Sequence, residues 1–270
     1  MADDAREKEM DARLSRDLRL SAAERDRRLG LDYMGALFAL DVPKVPAPKP
    51  GEHMLIVGIT GSGKSTTAKA LVARWAARVA VWDPLDEHSI WGVQTEQVML
   101  GALRRRITID ELRNSPGILD EPDLRAAIVP TRKGQKGRAQ DFADFVDLLA
   151  LEDQPREDEI AEAAAGQPLI VVVEEVPRLA QFCTGEFEAL ACVSRHSGVA
   201  VVAVAQYASG IPHPLRRQCR RIVAHAQTWD LDIDALAQPM GDDRAELVRS
   251  LRGHDSITWD READPSTAAA

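Results

Sequence analysis

The stretch that decides the fold is residues 54–67, MLIVGITGSGKSTT. Its first four residues are apolar and predict a short buried strand, and the turn that follows fits G-x-x-x-x-G-K-[ST] at every fixed position. The next residues, STTAKALVA (65–73), predict a first helix. A strand, a glycine-rich loop and a helix in this order are the context in which the motif forms a phosphate-binding loop.

The residue types of this loop suit a triphosphate. Gly58, Gly61 and Gly63 allow backbone conformations in which successive N–H groups point inward at a phosphate. The helix that begins near Lys64 directs the positive end of its dipole to the same place. We expect Lys64 to reach the β- and γ-phosphates and the Ser65 hydroxyl to hold Mg²⁺. The predicted nucleotide contacts are Gly58, Thr60, Gly61, Ser62, Gly63, Lys64, Ser65 and Thr66.

Composition and charge limit the function classes. The chain has 270 residues, of which 45% are hydrophobic, as in an ordinary globular protein. A formal net charge of −9 argues against a surface that coats nucleic acid indiscriminately, but it leaves room for a local basic patch. The three cysteines are widely spaced, so neither a zinc site nor a disulfide framework is expected. No apolar run approaches the ~18 residues of a membrane span and no signal peptide is visible, so we expect no integral membrane segment.

The chain divides into four segments by composition. Near the start, Met10, Leu14 and Leu18 recur at helical spacing among charges, which suits either a frayed, solvated arm or an arm that docks on a neighbouring subunit. A run with four prolines in eight residues then predicts a stiff connector. The predicted segments are a charged helical arm (1–40), a proline-rich connector (41–50), a phosphate-loop ATPase domain (51–260) and a flexible tail (261–270).

Further apolar runs predict a mostly parallel sheet. RVAVW (78–82) and RAAIV (125–129) are strand candidates, while PLIVVV (168–173) and GVAVVAVA (198–205) are apolar without alternation. Such runs are typical of central parallel strands that are covered on both faces. Strands interleaved with helical segments predict a doubly wound α/β fold with helices on both faces. The basic run TRKGQKGRAQ (131–140) predicts a flexible loop, which is either solvated or in contact with phosphates.

Polar residues end the two most apolar strands. Glu174 and Glu175 follow one, Gln206 follows the other, and we expect the glutamate-bearing strand to lie beside the phosphate-loop strand. There, one carboxylate can coordinate Mg²⁺ through a water, and a second can orient or deprotonate an attacking water. The glutamine can contact the γ-phosphate and sense its loss. A solvated strand end is the alternative for these side chains.

Four segments together resemble the FtsK/HerA superfamily of DNA-pumping ATPases, which includes genome-packaging ATPases of some viruses. Residues 58–65 match its first nucleotide motif, and VAVWDPLDEH (79–88) is similar to its second strand. LIVVVEEVPRL (169–179) resembles the second nucleotide motif. SRHSGVAVVAVAQYASGIPHPLRRQC (194–219) resembles the most distinctive segment, with an arginine, a strand, a glutamine and an arginine-rich helix. The resemblance implies a RecA-like fold.

The resemblance also implies residue roles. Arg195 would be an arginine finger offered to a neighbouring subunit's nucleotide, and Gln206 the γ-phosphate sensor. The family's usual Asp is Glu174 here, a longer but still hard oxygen ligand, so Ser65 and Glu174 are the implied metal ligands. This departure leaves open whether Glu174 or Glu175 activates water. Further candidates for DNA or subunit contact are Arg216, Arg217, Arg220 and Arg221.

The function implied is ATP hydrolysis, with ATP and Mg²⁺ as cofactors, that drives double-stranded DNA through a homo-oligomeric ring, expected to be a hexamer. The compact size favours a viral or mobile-element packaging motor, cytoplasmic or virion-associated, that docks on a capsid or portal-vertex protein. One alternative is a small-molecule kinase whose lid would use Arg104, Arg105 and Arg106. Another is a nucleotide-dependent switch that binds a protein partner.

Overall fold

The computed structural model describes residues 42–85, 103, 105–149 and 168–263, apart from the side chains of Arg195 and His196. The predicted helical arm (1–40) lies outside the described residues, as do Arg104 and most of the predicted tail (261–270). Of the helices in the described ranges, none combines the length and the apolar character that a membrane crossing requires.

Strands and helices alternate along the described chain. The strands are β1 (His53–Val57), β2 (Arg78–Trp82), β3 (Arg105–Thr108), β4 (Arg125–Val129), β5 (Leu169–Val173), β6 (Val199–Ala205), β7 (Cys219–His225) and β8 (Ser256–Asp260). The α-helices are α1 (Lys64–Arg74), α2 (Ile109–Asn114), α3 (Gly134–Leu148), α4 (Val176–Ala180), α5 (Thr184–Cys192), α6 (His213–Gln218), α7 (Asp230–Met240) and α8 (Asp242–Ser250). Short 3₁₀ turns cover Pro116–Asp120, Ser194–Ser197 and Ala208–Gly210.

The eight strands described form one sheet in the order β3-β4-β2-β5-β6-β1-β7-β8. Every neighbouring pair is parallel except β7 and β8, which are antiparallel. The predicted α/β class is confirmed. The expectation that the glutamate-bearing strand lies beside the phosphate-loop strand is wrong, because β6 separates β5 from β1. Two strand spacings of about 4.8 Å therefore separate these strands, roughly 10 Å in all.

Apolar side chains cover both faces of the sheet, as the non-alternating strands predicted. On β1, Leu55 belongs to the cluster on one face and Ile56 to the cluster on the other, because successive strand residues point to opposite sides. On the first face Trp82 stacks on Phe145 with ring centroids 5.7 Å apart. Burying each such side chain contributes about 1.5–3 kcal/mol. The two covered faces hold the strand ends, and hence the site, in fixed positions.

The basic run 131–140 is not a flexible loop, and this prediction is corrected. Helix α3 begins inside it, and the residues before the helix are anchored by Asp141, whose side chain is fully buried. Asp141 Oδ2 accepts the backbone N–H groups of Thr131 at 2.8 Å and Arg132 at 2.7 Å. Its Oδ1 accepts guanidinium N–H groups of Arg113 at 2.8 Å and Arg132 at 2.9 Å. A buried carboxylate is stable only with this number of partners.

The predicted arginine-rich helix is divided between two elements. Helix α6 ends before Arg220 and Arg221, which lie on β7. Their partners are acids at the edge of the sheet where the parallel strands begin, which we call the amino edge. Arg221 Nε donates to Asp260 Oδ2 at 2.7 Å, and Arg220 pairs with Glu52 and Glu262. These two arginines are therefore committed to holding β1, β7 and β8 together.

Candidate active site

The phosphate loop connects β1 to α1 at the opposite edge, where the parallel strands end and which we call the carboxyl edge. The Gly58 N–H donates to Ala205 O at 3.2 Å, and the Ile59 N–H donates to Ala226 O at 3.1 Å. These carbonyls belong to the ends of β6 and β7, the two neighbours of β1. The start of the loop is therefore fixed between two strand ends. This is the edge at which open α/β sheets bind their ligands.

Two glycines of the motif are required by geometry. Gly63 precedes α1 with φ +90°, and a Cβ there would lie 2.7 Å from His254 Nδ1. At Gly58 a Cβ would lie 2.4 Å from Ser62 Oγ and 2.6 Å from His225 Cβ. A side chain at either position would also occupy the space that a phosphate needs beside the backbone N–H groups.

The lysine of the motif fits an anionic ligand. Lys64 is only 9% exposed, and within the described residues its ammonium has neither an ion pair nor a hydrogen bond. A buried ammonium without an anion is costly, and a triphosphate would supply the missing charge. Ser62 is also buried, and its hydroxyl has no hydrogen-bond partner among the described residues. Thr60, Gly61 and Thr66 are exposed at the rim, and Ser65 is half-buried at the start of α1.

A histidine that the sequence analysis did not identify contacts the helix that follows the phosphate loop. His225, at the end of β7, is buried, and its Nε2 lies 3.0 Å from Thr67 Oγ1 on α1. Burial lowers the pKa of His225, and the nearby Lys64 and His254 act in the same direction. The ring is therefore neutral at pH 7. A neutral ring here leaves Lys64 as the cation of the cradle.

The glutamate pair lies where predicted, at the end of β5. The Glu174 side chain is buried, and its N–H donates to Trp82 O at 3.4 Å. Glu175 has φ 56°, and it is the one non-glycine residue with positive φ among those described. Such a conformation costs about 1–3 kcal/mol and persists only where the surroundings impose it. The turn therefore directs the two carboxylates differently, with Glu174 inward and Glu175 half-exposed.

The Glu175 carboxylate is held by two neighbours. Gln206 Nε2, at the end of β6, donates to Glu175 Oε1 at 3.1 Å. Arg178, one turn along α4, places its Nε 3.1 Å from Glu175 Oε2. The predicted sensor and one predicted catalytic carboxylate are thus in direct contact. A displacement of either side chain would therefore be transmitted to the other through this hydrogen bond.

A second strand-end glutamine joins the site. Gln227 follows β7, is 1% exposed, and donates from Nε2 to Gln206 O at 3.1 Å. Its Oε1 has no hydrogen-bond partner among the described residues. Gln227 could have been predicted as Gln206 was, from its place after a strand. The two arginines of β7 interrupt the apolar pattern of that strand, so it was not recognised. Gln227 fixes the backbone that carries Gln206.

Arg195 does not lie at this edge. Its backbone is in the 3₁₀ turn Ser194–Ser197, which precedes β6 and so lies at the amino edge. The turn is anchored by Ser194, whose Oγ lies 3.5 Å from His53 Nε2. The described residues therefore bring Lys64, Ser65, the glutamate pair and Gln206 to one edge, and place Arg195 at the other.

The donor set also fits a hard cation that is bound together with a phosphate. Among the described residues there is no group of three or more His, Cys, Asp or Glu side chains that would form a complete metal cage. Mg²⁺ in phosphoryl-transfer sites takes one or two protein oxygens, with the remaining ligands from phosphate and water. Ser65 and the buried Glu174 are residues of the required kind.

The fold and the phosphate loop define a P-loop nucleoside triphosphatase. The FtsK/SpoIIIE family model matches residues 11–80, and the model of the helicase HerA central domain matches residues 50–126. These matches confirm the resemblance to the FtsK/HerA superfamily and indicate that the chain is an ATPase. A comparison with curated protein sequences found no match.

Solved structures agree with this fold. The chain is similar to the genome-packaging NTPase B204 of Sulfolobus turreted icosahedral virus 2 in complex with ATP-γ-S, at 14% identity and a TM-score of 0.54, covering 79% of this chain and 94% of B204. The AMPPCP complex of B204 has the same identity and coverage and a TM-score of 0.51. B204 of Sulfolobus turreted icosahedral virus, described as a DNA-packaging ATPase, gives 15% identity and a TM-score of 0.51 at the same coverage. These structures share the fold, and two of them are complexes of B204 with ATP analogues.

Proposed function

We propose that the chain is an ATP-driven translocase of double-stranded DNA that works as a ring. The observation that carries the proposal is the convergence at the carboxyl edge of a buried ammonium, a carboxylate pair and the amide of Gln206. A cationic cradle that faces carboxylates suits hydrolysis, because the cradle binds the triphosphate while a carboxylate readies a water.

Each residue of the convergence has a separate task. Lys64 would bind the β- and γ-phosphates, and Ser65 with Glu174 would hold Mg²⁺, which supplies charge neutralisation on the phosphate oxygens. Glu175 would accept the proton of the attacking water. Its carboxylate is already oriented by hydrogen bonding to Gln206, so the base is positioned before the water arrives. We therefore assign water activation to Glu175 and metal binding to Glu174.

The position of Arg195 supports action across a subunit boundary. The strand β6 runs from the turn that carries Arg195 to Gln206, and its seven residues span roughly 23 Å at about 3.3 Å each. The side chain would therefore not reach the nucleotide of its own chain. Offered to the next subunit, the guanidinium would neutralise charge that develops in the transition state. A ring, which we infer to be a hexamer, gives every subunit such a neighbour.

DNA is the inferred substrate, and its phosphate backbone is the part that a motor grips, because phosphate contacts carry no sequence information. Exposed cations for such contacts are available at Lys133 and Lys136, beside the start of α3. Arg132 is less available, because it pairs with Asp141 and Asp144. The likeness to B204 supports genome packaging as the process, in the cytoplasm or on the virion, with a capsid or portal-vertex protein as the docking partner.

The alternatives receive less support. A kinase lid built on the arginine cluster would need free guanidinium groups, and Arg105 pairs with Glu121. A switch protein that hydrolyses ATP slowly would not need a water-activating carboxylate such as Glu175 to be oriented by Gln206. The strand order also separates the glutamates from the phosphate loop by β6, which leaves room for a water between carboxylate and phosphate.

The test is ATP turnover by the full chain with and without double-stranded DNA, together with the mass of the assembly. We expect DNA to raise turnover several-fold and the mass to correspond to a ring in the presence of ATP and DNA. Lys64→Ala serves as the inactive control in both conditions. Turnover that DNA leaves unchanged, in a chain that stays monomeric, would contradict the translocase and favour the kinase or the switch.

A further inference from the structure

A basic cavity lies at the amino edge of the sheet, away from the phosphate loop. Its volume is about 290 Å³, and it is formed where α6 enters β7, where α7 ends and where the chain leaves β8. The start of β7 and the end of β8 lie at the amino edge because the two strands are antiparallel. The end of α7 is joined to them by Gln238, whose Oε1 accepts from Arg216 at 3.2 Å. The lining residues are His213, Arg216, Arg217, Gln238, Pro239 and Arg261. Three of the six are arginines, and none is acidic.

Arg216 is the residue that makes this cavity unusual. It is 8% exposed, and its guanidinium donates to two neutral acceptors, Ala208 O and Gln238 Oε1, each at 3.2 Å. Its Nε has no acceptor, and no carboxylate pairs with it among the described residues. Arginine stays protonated in proteins, so a full positive charge is buried without an anion. Burial lowers the pKa of Arg216, because removing the guanidinium from water disfavours its charged form.

Carboxylates are present at the same edge but are used elsewhere. Asp260 and Glu262 precede and follow Arg261, and both pair with arginines of β7. Arg217, whose side chain has neither an ion pair nor a hydrogen bond within the described residues, stands exposed at the mouth of the cavity. The cavity therefore combines a buried cation at its base with an exposed cation at its entrance. Such a site is completed by an anion from outside the chain.

We propose that this cavity binds one phosphate group, supplied by the backbone of the DNA. The planar guanidinium suits a phosphate because it offers parallel N–H donors to two oxygens. His213 carries the one aromatic ring of the lining, so stacking on the base of a free nucleotide would be limited to this imidazole. The DNA source rests on the proposed function, whereas the phosphate chemistry of the cavity does not. The site would give each subunit a grip on the duplex at the edge opposite its own ATP.

Inorganic phosphate tests the cavity itself. The probe is titrated calorimetrically into the full chain carrying Lys64→Ala, so that the phosphate loop does not contribute. We expect Arg217→Ala on this background to weaken phosphate binding about tenfold, and Arg217→Glu to abolish it. Arg106→Ala is the matched control, because Arg106 is an exposed arginine on β3 at the far side of the sheet. Equal phosphate affinity in Arg217→Ala and in Arg106→Ala would overturn the site.

Double-stranded DNA tests the source of the phosphate. Binding is measured by fluorescence anisotropy over a range of salt concentrations, and log K is plotted against log salt. Loss of one phosphate contact reduces the slope by about 0.9 per subunit site, so Arg217→Ala should have a shallower slope than wild type, with Arg106→Ala unchanged. An unchanged slope in Arg217→Ala would overturn DNA as the source. Wild-type chain that binds no DNA would do the same and would also contradict the translocase, while the phosphate titration would still decide the cavity.

Discussion

The ion pairs of β7 and the phosphate loop treat charge in opposite ways. At the amino edge Arg220 and Arg221 are surrounded by Glu52, Asp260 and Glu262, so that the charges of β7 are balanced within the chain. At the carboxyl edge Lys64 is buried without any partner in the described residues. Charged side chains that are paired within the chain hold strands together, whereas a buried charged side chain without a partner is suited to bind a ligand. By this criterion the phosphate loop is a ligand-binding site, and the β7 ion pairs stabilise the fold.

The largest effect is expected at the unbalanced charge itself. Lys64→Ala should abolish measurable ATP turnover, because the ammonium would both bind the triphosphate and neutralise charge in the transition state. Steady-state phosphate release measures it. Lys69→Ala, a lysine on the same helix, is the control and should keep most of the activity. Comparable turnover in the two variants would remove the central assignment.

The glutamate pair should separate into two roles. Glu175→Gln should slow hydrolysis by about 10²–10⁴ while ATP stays bound, because the amide can still accept from Gln206 but cannot take a proton. Glu174→Gln should instead raise the Mg²⁺ concentration needed for half-maximal activity. Single-turnover hydrolysis and filter binding of ATP distinguish the two. The assignment is reversed if Glu174→Gln is the variant that traps ATP.

Arg195→Ala tests whether sites are shared between subunits. Turnover should fall by about 10³ or more while ATP affinity is kept, as for a finger that acts only in the transition state. A mixture of Arg195→Ala and Glu175→Gln chains should recover part of the activity, because some interfaces then contain one intact residue of each kind. Arg106→Ala, at an exposed arginine on β3, is the control. No recovery in the mixture would argue against a shared site.

Loss of a β7 ion pair should change the stability of the fold and not the ATP turnover of the folded chain. Asp260→Asn removes a partner of the buried Arg221 and should lower the free energy of unfolding by about 1–3 kcal/mol, with turnover per folded chain unchanged. Burial opposes ionisation of Asp260, but hydrogen bonding from Arg221 and from the Glu262 N–H outweighs it and lowers the pKa. The contribution is therefore present above the ordinary aspartate value of about 4 and is lost as the pH falls below it. Urea unfolding at pH 7 and pH 3 should show the variant and wild type converging at the lower pH.

The smallest effect concerns two buried histidines. Burial lowers the pKa of His53 and of His225, so the unfolded chain takes up protons near pH 6.5 before the folded chain does. Stability is thus fully present above pH 6.5 and falls below it, by up to about 1.4 kcal/mol per pH unit for each ring. Urea midpoints measured from pH 7.5 to 5.5 should decline, and less steeply in His225→Gln. A flat profile in wild type would contradict the neutral rings.

The elements predicted best were those whose signal is local. The strand, loop and helix around Gly58 to Lys64, and the apolar strands β5 and β6, can be recognised from consecutive residues. Strand β7 could not, because Arg220, Arg221 and His225 interrupt its apolar pattern, and their partners Glu52 and Asp260 are distant in sequence. Strand order is likewise a tertiary property, which is why β6 between β5 and β1 was missed.

The same limit applies within the site. Glu174, Glu175 and Gln206 were predicted from their places after apolar strands, and the structure brings them together at one edge with the phosphate loop. Arg216 was predicted as a contact residue, but its burial depends on the packing of α6 against β7 and on Gln238 from α7. Charge composition alone suggested a solvated loop at 131–140, and only the buried position of Asp141 explains why it is ordered.

The close approach of Gly63 and His254 limits which residues can occupy position 63. Two separate restrictions meet at position 63, the left-handed backbone and the imidazole that lies over it. A homologue that shortened residue 254 would remove the steric restriction but keep the conformational one. A smaller residue at position 254 would therefore not by itself allow a side chain at position 63, because the left-handed backbone there still favours glycine.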